Sequence, residues 1–204
     1  MQRIRQAATF LMAAVTGVLL LGACAVNPAT GERQFTGLLP AAQEAAIGAE
    51  QHPRILEEFG GTLNDPAIQA YVDGIGQRLA ANTELPGVTY TFTVLDSDVV
   101  NAFALPGGYV YVTRGLMQLA NSEAQLAGVI GHEIGHITGR HAAERYSQGT
   151  LAQLGAVAAA VLGGQELGQM AAQGAQLAVA GWGRGQELEA DQLGIRYMAN
   201  VGYE

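Results

Sequence analysis

The chain has 204 residues, 49% of them apolar, and 18 acidic residues against 10 basic ones, for a formal charge of −8. That apolar content is ample for a core and excludes wholesale disorder, and the length fits one domain, or one plus a tail. Every basic residue is an arginine and the arginines do not cluster, which excludes nucleic acid as a partner, because phosphate binding needs grouped cations.

The N-terminus has a basic start at Arg3 and Arg5, then an apolar run from Ala7 to Leu21. A spanning helix needs roughly twenty apolar residues, so the shorter run reads as a secretory signal. Leu21-Gly22-Ala23-Cys24 resembles the bacterial lipobox, in which the cysteine is lipidated and becomes the mature N-terminus. On that reading residues 1–23 are a lipoprotein signal peptide. The protein is then periplasmic and lipid-anchored through Cys24, at the outer membrane of a Gram-negative bacterium. The alternative is a short buried helix with an incidental cysteine. Cys24 is the sole cysteine, so an intramolecular disulfide is excluded.

Residues 24–39 are rich in turn formers and read as a tether between lipid and body, with the folded domain expected over 40–204. Apolar residues recur at helical spacing from Pro40 to about Phe59 and from Asp65 to about Ala81, with Asp65 as candidate cap and Pro66 in the first turn. His52, beside Pro53, reads as solvated. Residues 88–96 and 108–115 alternate with β-branched and aromatic side chains, and Asn101–Ala104 is a short extended piece before a Pro106-Gly107-Gly108 turn. Together these predict a small antiparallel sheet. Ser122, with Gln125 three residues on, opens a helix expected to reach about Tyr146. Residues 148–183 are rich in Ala, Gly and Gln, and glutamines interrupt each apolar run short of a membrane span. A buried or lid-like helical hairpin is expected there. A last helix is expected from near Gly185. It stops just after Gly202, with nothing following to pack on it, so a downstream helix or domain is expected.

The chemistry lies in His132-Glu133-Ile134-Gly135-His136. On a helix, positions i and i+4 share a face, so both imidazoles can reach one ion, and Zn²⁺ suits two neutral nitrogen ligands. Glu133 is the next residue round the helix and can take the proton of a water that the ion activates. A catalytic zinc needs a third protein ligand and an open position. By spacing, His141 falls out of phase with the pair and points elsewhere, and no histidine follows it. A carboxylate must serve, and Glu187, Glu189 and Asp191 lie on the last helix. Glu187 and Asp191 share a face, so one can ligate while the other accepts a hydrogen bond from a ligand histidine.

This pairing of H-E-x-x-H with the downstream Glu187-Leu188-Glu189-Ala190-Asp191 resembles the zinc metallopeptidases that include the CAAX prenyl endopeptidase, HtpX and their periplasmic lipoprotein relatives. The stretches NPATGERQ, NAFALPGGYVYVTRGL and RHAAER are similar to that family as well. The resemblance implies an α+β, mainly helical zincin-like domain with the small antiparallel sheet beside the motif helix. It implies one Zn²⁺ per chain held by His132, His136 and Glu187, with Glu133 as general base, Asp191 supporting a ligand histidine, and Glu189 a bystander. It also implies that the edge strand Asn101, Ala102, Phe103 and Ala104 receives an extended substrate. Arg196, Tyr197 or a residue downstream of the chain would polarise the substrate oxyanion. Function is then zinc-dependent endoproteolysis of cell-envelope proteins, in protein quality control. Its partners would be protein or peptide substrates, the membrane through the lipid, and a C-terminal helical-repeat extension or an envelope protein. The rival reading is a zinc-binding, chaperone-like or latent lipoprotein with little proteolysis.

One feature conflicts with local propensity. Gly131, Gly135 and Gly139 form a stripe on the motif helix, and interior glycine costs roughly 1 kcal/mol each against alanine. Either a general bias towards glycine placed them, or another backbone, from the last helix or the 148–183 hairpin, lies against the stripe.

Overall fold

The computed structural model describes residues 24–203, without the side chains of residues 175–182. The signal segment 1–23 lies outside the described residues. β1 (Cys24–Val26) and β2 (Arg33–Phe35) pair antiparallel. The expected tether is docked rather than free, since Asn27, Ala29, Gln34, Thr36 and Leu39 are all buried. Asn27 Nδ2 donates to Gln34 Oε1 and to the Thr138 carbonyl, each at 2.9 Å.

Helices α1 (Ala41–Glu58) and α2 (Pro66–Ala80) follow as expected. Pro53 lies within α1 and, lacking an N–H, leaves the Ala49 carbonyl without its helical donor. His52 is half-buried rather than solvated. Its ring stacks on Tyr109 and Tyr111, and Nδ1 sits 2.7 Å from the Tyr111 hydroxyl. In α2 the Asp65 carboxylate accepts from the amides of Ala67 and Ile68, satisfying two donors that every helix start leaves open. Its apolar face, Val72, Ile75 and Leu79, is buried in the core with β3 and β5.

The sheet consists of β3 (Thr91–Leu95), β4 (Ala102–Leu105) and β5 (Tyr109–Thr113), in the order β3-β5-β4. It is mixed rather than wholly antiparallel: β4 and β5 form the expected hairpin, but β5 runs parallel to β3. The reason is burial. Val110, Tyr111 and Val112 are the most completely buried run, at most 1% exposed, so β5 takes the centre and β4, half-buried throughout, lies on the rim. The two rims differ. That of β3 is covered by α2, where Gln69 bonds both the Phe92 carbonyl and the Val94 amide, at 2.7 and 2.9 Å. The outer rim of β4 has no strand beside it among the described residues.

A short helix α3 (Arg114–Leu119) leads to the motif helix α4 (Glu123–Thr138), capped by Ser122, whose hydroxyl accepts from the Gln125 amide. Gln125 reaches back to the Asn121 amide at 2.8 Å. The helix stops at Thr138 and not near Tyr146. Arg140 is left-handed (φ 53°, ψ 35°), and α5 (His141–Gly163) sets off in a new direction. A non-glycine residue held there costs roughly 1–2 kcal/mol. The offset is the Arg140 guanidinium, which donates to Glu44 at 2.7 and 3.1 Å, to the Leu39 carbonyl at 2.9 Å and to Thr36 at 3.2 Å.

Gly164 (φ 87°) turns the chain into α6 (Gln165–Asn200). The expected hairpin exists, but no separate last helix begins near Gly185, because α6 runs unbroken from the hairpin to the site. Nor is the hairpin buried. Val157, Val161 and Leu162 are 62%, 78% and 87% exposed. No described helix is long and apolar enough to cross a membrane.

Candidate active site

The glycine stripe is where α4 and α6 meet backbone to backbone. A Cβ added at Gly131 would lie 3.2 Å from the Gly194 carbonyl oxygen, and one at Gly135 would lie 2.6 Å from that of Ala190. Reciprocally, a Cβ at Gly194 would meet Gly131 and His132 main-chain atoms at 2.8 Å. The expected partner backbone is therefore the C-terminal part of α6. Gly139 has another use: a Cβ there would be 2.5 Å from His141 Nε2.

This approach delivers the carboxylates of α6 to the histidines of α4. His132 Nε2 and His136 Nε2 face each other at 3.0 Å, and the two Glu187 oxygens lie 3.4 Å from the first and 3.6 Å from the second. A tetrahedral zinc with bonds of about 2.0–2.1 Å holds its donors roughly 3.3 Å apart. The donor set and its spacing fit that ion. The imidazole orientations also fit. Asp191 Oδ1 is 2.7 Å from His132 Nδ1; a carboxylate only accepts there, so His132 carries its proton on Nδ1 and turns a bare Nε2 to the centre. His136 Nδ1 lies 2.8 Å from His141 Nδ1. Burial, reinforced by the neighbouring His132, lowers the His136 pKa to about 4, which keeps that ring neutral, the form that ligates.

Glu133 is buried on the same helix and lines a cleft of about 480 Å³ together with both histidines, Glu187 and β4 residues Ala102–Leu105. Burial pushes its carboxyl up to about 7, Glu187 adds to the rise, and His132 and the Ala104 main chain oppose it. A buried carboxyl poised near neutrality can accept and return a proton. Asn101 lies just before β4, its carbonyl accepting from the Thr113 amide and hydroxyl. Phe103 stacks on Tyr111 within the sheet.

Two sequence expectations fail on placement. Neither Arg196 nor Tyr197 lines the cleft. Arg196 donates to the Ala29 carbonyl and Glu84, and the buried Tyr197 hydroxyl is bound between Glu84 and Thr138. The cations that do line the cleft are Arg140 and Arg145, and sequence reasoning missed both. His141 does not point elsewhere. The break at Arg140 swings it back against His136, a return that an unbroken helical wheel cannot give. The one available signal was Gly139, a helix-ending residue within the motif region.

The sequence profile of peptidase family M48 matches residues 66–204. The chain is similar to the beta-barrel assembly-enhancing protease of Escherichia coli strain K12, 30% identical over 175 residues. A Vibrio cholerae relative given the same name provisionally is 35% identical over 173 residues. Each alignment covers 79% of this chain and 35% of the relative, so the chain spans about a third of those proteins. The mitochondrial metalloendopeptidase OMA1 of Arabidopsis thaliana is 34% identical over 143 residues, 70% of this chain and 29% of that protein. With a profile match running from α2 to the C-terminal end of α6, this chain belongs to peptidase family M48, a family of metallopeptidases.

Proposed function

We propose that the chain is a zinc-dependent endopeptidase of the bacterial cell envelope, with one Zn²⁺ held by His132, His136 and Glu187. The observation that carries this reading is the convergence of two imidazole nitrogens and one carboxylate beside the buried acid Glu133. Bound zinc would supply a Lewis acid that polarises the scissile carbonyl and acidifies the attacking water.

The residues of the chain do the rest. Glu133 takes the proton of the attacking water on its carboxylate and returns it to the leaving amine. Asp191 holds the His132 ring in the ligating tautomer. The outer rim of β4, Ala102–Leu105, pairs with an extended substrate by main-chain bonds that tolerate many side chains, and Asn101 anchors its start to Thr113. The substrates are proteins of the envelope, in line with the names of the bacterial relatives. Cys24, exposed at the start of β1, is the lipid attachment point that would keep the enzyme at the outer membrane.

Glu133→Gln should keep zinc and lose cleavage of casein or misfolded protein by 10²-fold or more. Unimpaired cleavage by that variant sinks the reading. Zinc binding without cleavage in either protein favours a chaperone-like or latent lipoprotein, for which the exposed apolar hairpin around Val157, Val161 and Leu162 speaks.

A further inference from the structure

We propose that His141 and Glu189 act as a positioning relay behind His136, fixing which of its ring nitrogens points into the cleft. The inference rests on the metallopeptidase reading and adds two residues to it, one of them the glutamate expected to be a bystander.

His141 is 1% exposed, and its Nδ1 meets His136 Nδ1 at 2.8 Å. Two ring nitrogens at that distance share one proton, so one donates and the other accepts. A His136 that ligates must keep Nε2 bare, since Nε2 is the nitrogen that faces His132 Nε2 and Glu187 across the cluster. The shared proton therefore sits on His136, and His141 accepts. That leaves His141 with its own proton on Nε2. This nitrogen is buried without a partner among the described residues, and 3.8 Å away lies Glu189 Oε1, an acceptor that is also buried without one. A donor and an acceptor orphaned face to face are completed by a small side-chain shift or one bridging water. Left unpaired, each costs roughly 1–3 kcal/mol.

The neighbours are consistent with this pairing. Of the other carboxylates near Glu189, which are Glu32 and Glu144, Glu144 on α5 is already bonded to Gln186 Nε2 at 2.8 Å. Gly139 keeps clear the space that His141 Nε2 occupies. One helix, α6, thus holds both ligand histidines from behind: Asp191 directly on His132, and Glu189 through His141 on His136.

The test uses the full chain, with zinc affinity read by competition against a chromogenic chelator and folding checked by thermal melting. In His141→Asn the amide oxygen takes the place of Nδ1, so affinity should stay within about threefold of wild type. His141→Leu fills the space without an acceptor and should bind roughly 10–100-fold more weakly. Glu189→Gln still accepts and should match wild type, whereas Glu189→Leu should fall several-fold. Wild-type affinity in His141→Leu overturns the relay. So does an equal loss in the folded Asn and Leu variants, which would make His141 a packing residue only. Nitrogen-15 shifts of the metal-free wild type need no variant, and should show His136 protonated on Nδ1 and His141 on Nε2. A His136 protonated on Nε2 overturns the relay even where zinc binds. Absence of zinc binding together with the expected tautomers sinks the metallopeptidase reading and supports the relay.

Discussion

Gly135 of the motif helix lies against the backbone of Ala190, so close that a methyl group at 135 would sit 2.6 Å from the Ala190 carbonyl oxygen and 2.9 Å from its Cα. Main chain cannot rotate away as a side chain can, so α6 would have to move, and Glu187 is three residues along it. Propensity alone makes Gly135→Ala favourable by roughly 1 kcal/mol, but overpacking against backbone costs typically 1–3 kcal/mol. The steric effect should win. Gly135→Ala is expected to lower stability in urea melts by about 1–2 kcal/mol and to weaken zinc binding. Gly149→Ala is the control: the added group meets nothing within 4 Å, and the variant should be neutral or slightly more stable. Equal behaviour of the two variants would mean that the stripe reflects composition alone.

The buried Glu133 carboxyl makes the metal-free protein sensitive to pH. Its value is raised from 4.5 to about 7, chiefly by burial. Between those values the folded chain holds a proton that the unfolded chain has released, so stability falls as pH rises through that window. His136 and His141, both held neutral by burial, act in the opposite direction, so wild type alone is ambiguous. Comparison with Glu133→Gln isolates the carboxyl. After chelation, the variant should gain on wild type by up to roughly 3 kcal/mol between pH 5 and pH 8 in denaturant melts. Parallel curves would show that Glu133 ionises freely.

Arg140 closes the junction between the motif helix and α5, and its partner Glu44 is 8% exposed. Arg140→Ala leaves that carboxylate buried without its cation and removes the contacts to Thr36 and Leu39, while the left-handed backbone remains. Breaking such a pair costs about 3–5 kcal/mol when fully buried. This one borders the cleft, so a loss of about 2–4 kcal/mol is expected by chemical denaturation. Because His141 follows directly, zinc affinity should fall as well. Arg140→Lys keeps the charge but not the fork, and should fall between the two.

Much of the site was legible in the chain itself. The i, i+4 spacing of His132 and His136 places two imidazoles on one face whatever surrounds them, and Glu187 and Asp191 share a face of their own helix for the same reason. Asp65 and Ser122 mark helix starts because unsatisfied amides demand an acceptor, and both caps stand where expected. Sheet order, by contrast, depended on which strand the core could bury most completely. Alternating side chains give no hint of that, so β5 at the centre, parallel to β3, was invisible.

What the sequence by itself determined is therefore local: the histidine pair on one helix face, the candidate acids, the caps and the hairpin turn at Gly107-Gly108, all fixed by periodicities of a few residues. Tertiary structure alone decided which side chains meet across elements. Arg140 could turn left-handed only because Glu44, Thr36 and Leu39 were brought to its guanidinium from roughly a hundred residues earlier. That turn sent His141 back to His136. The bare stripe at Gly131 and Gly135 let α6 approach until Glu187 stood opposite both imidazoles. A helical wheel carries the phase of one helix; the contact between two depends on how near their backbones come.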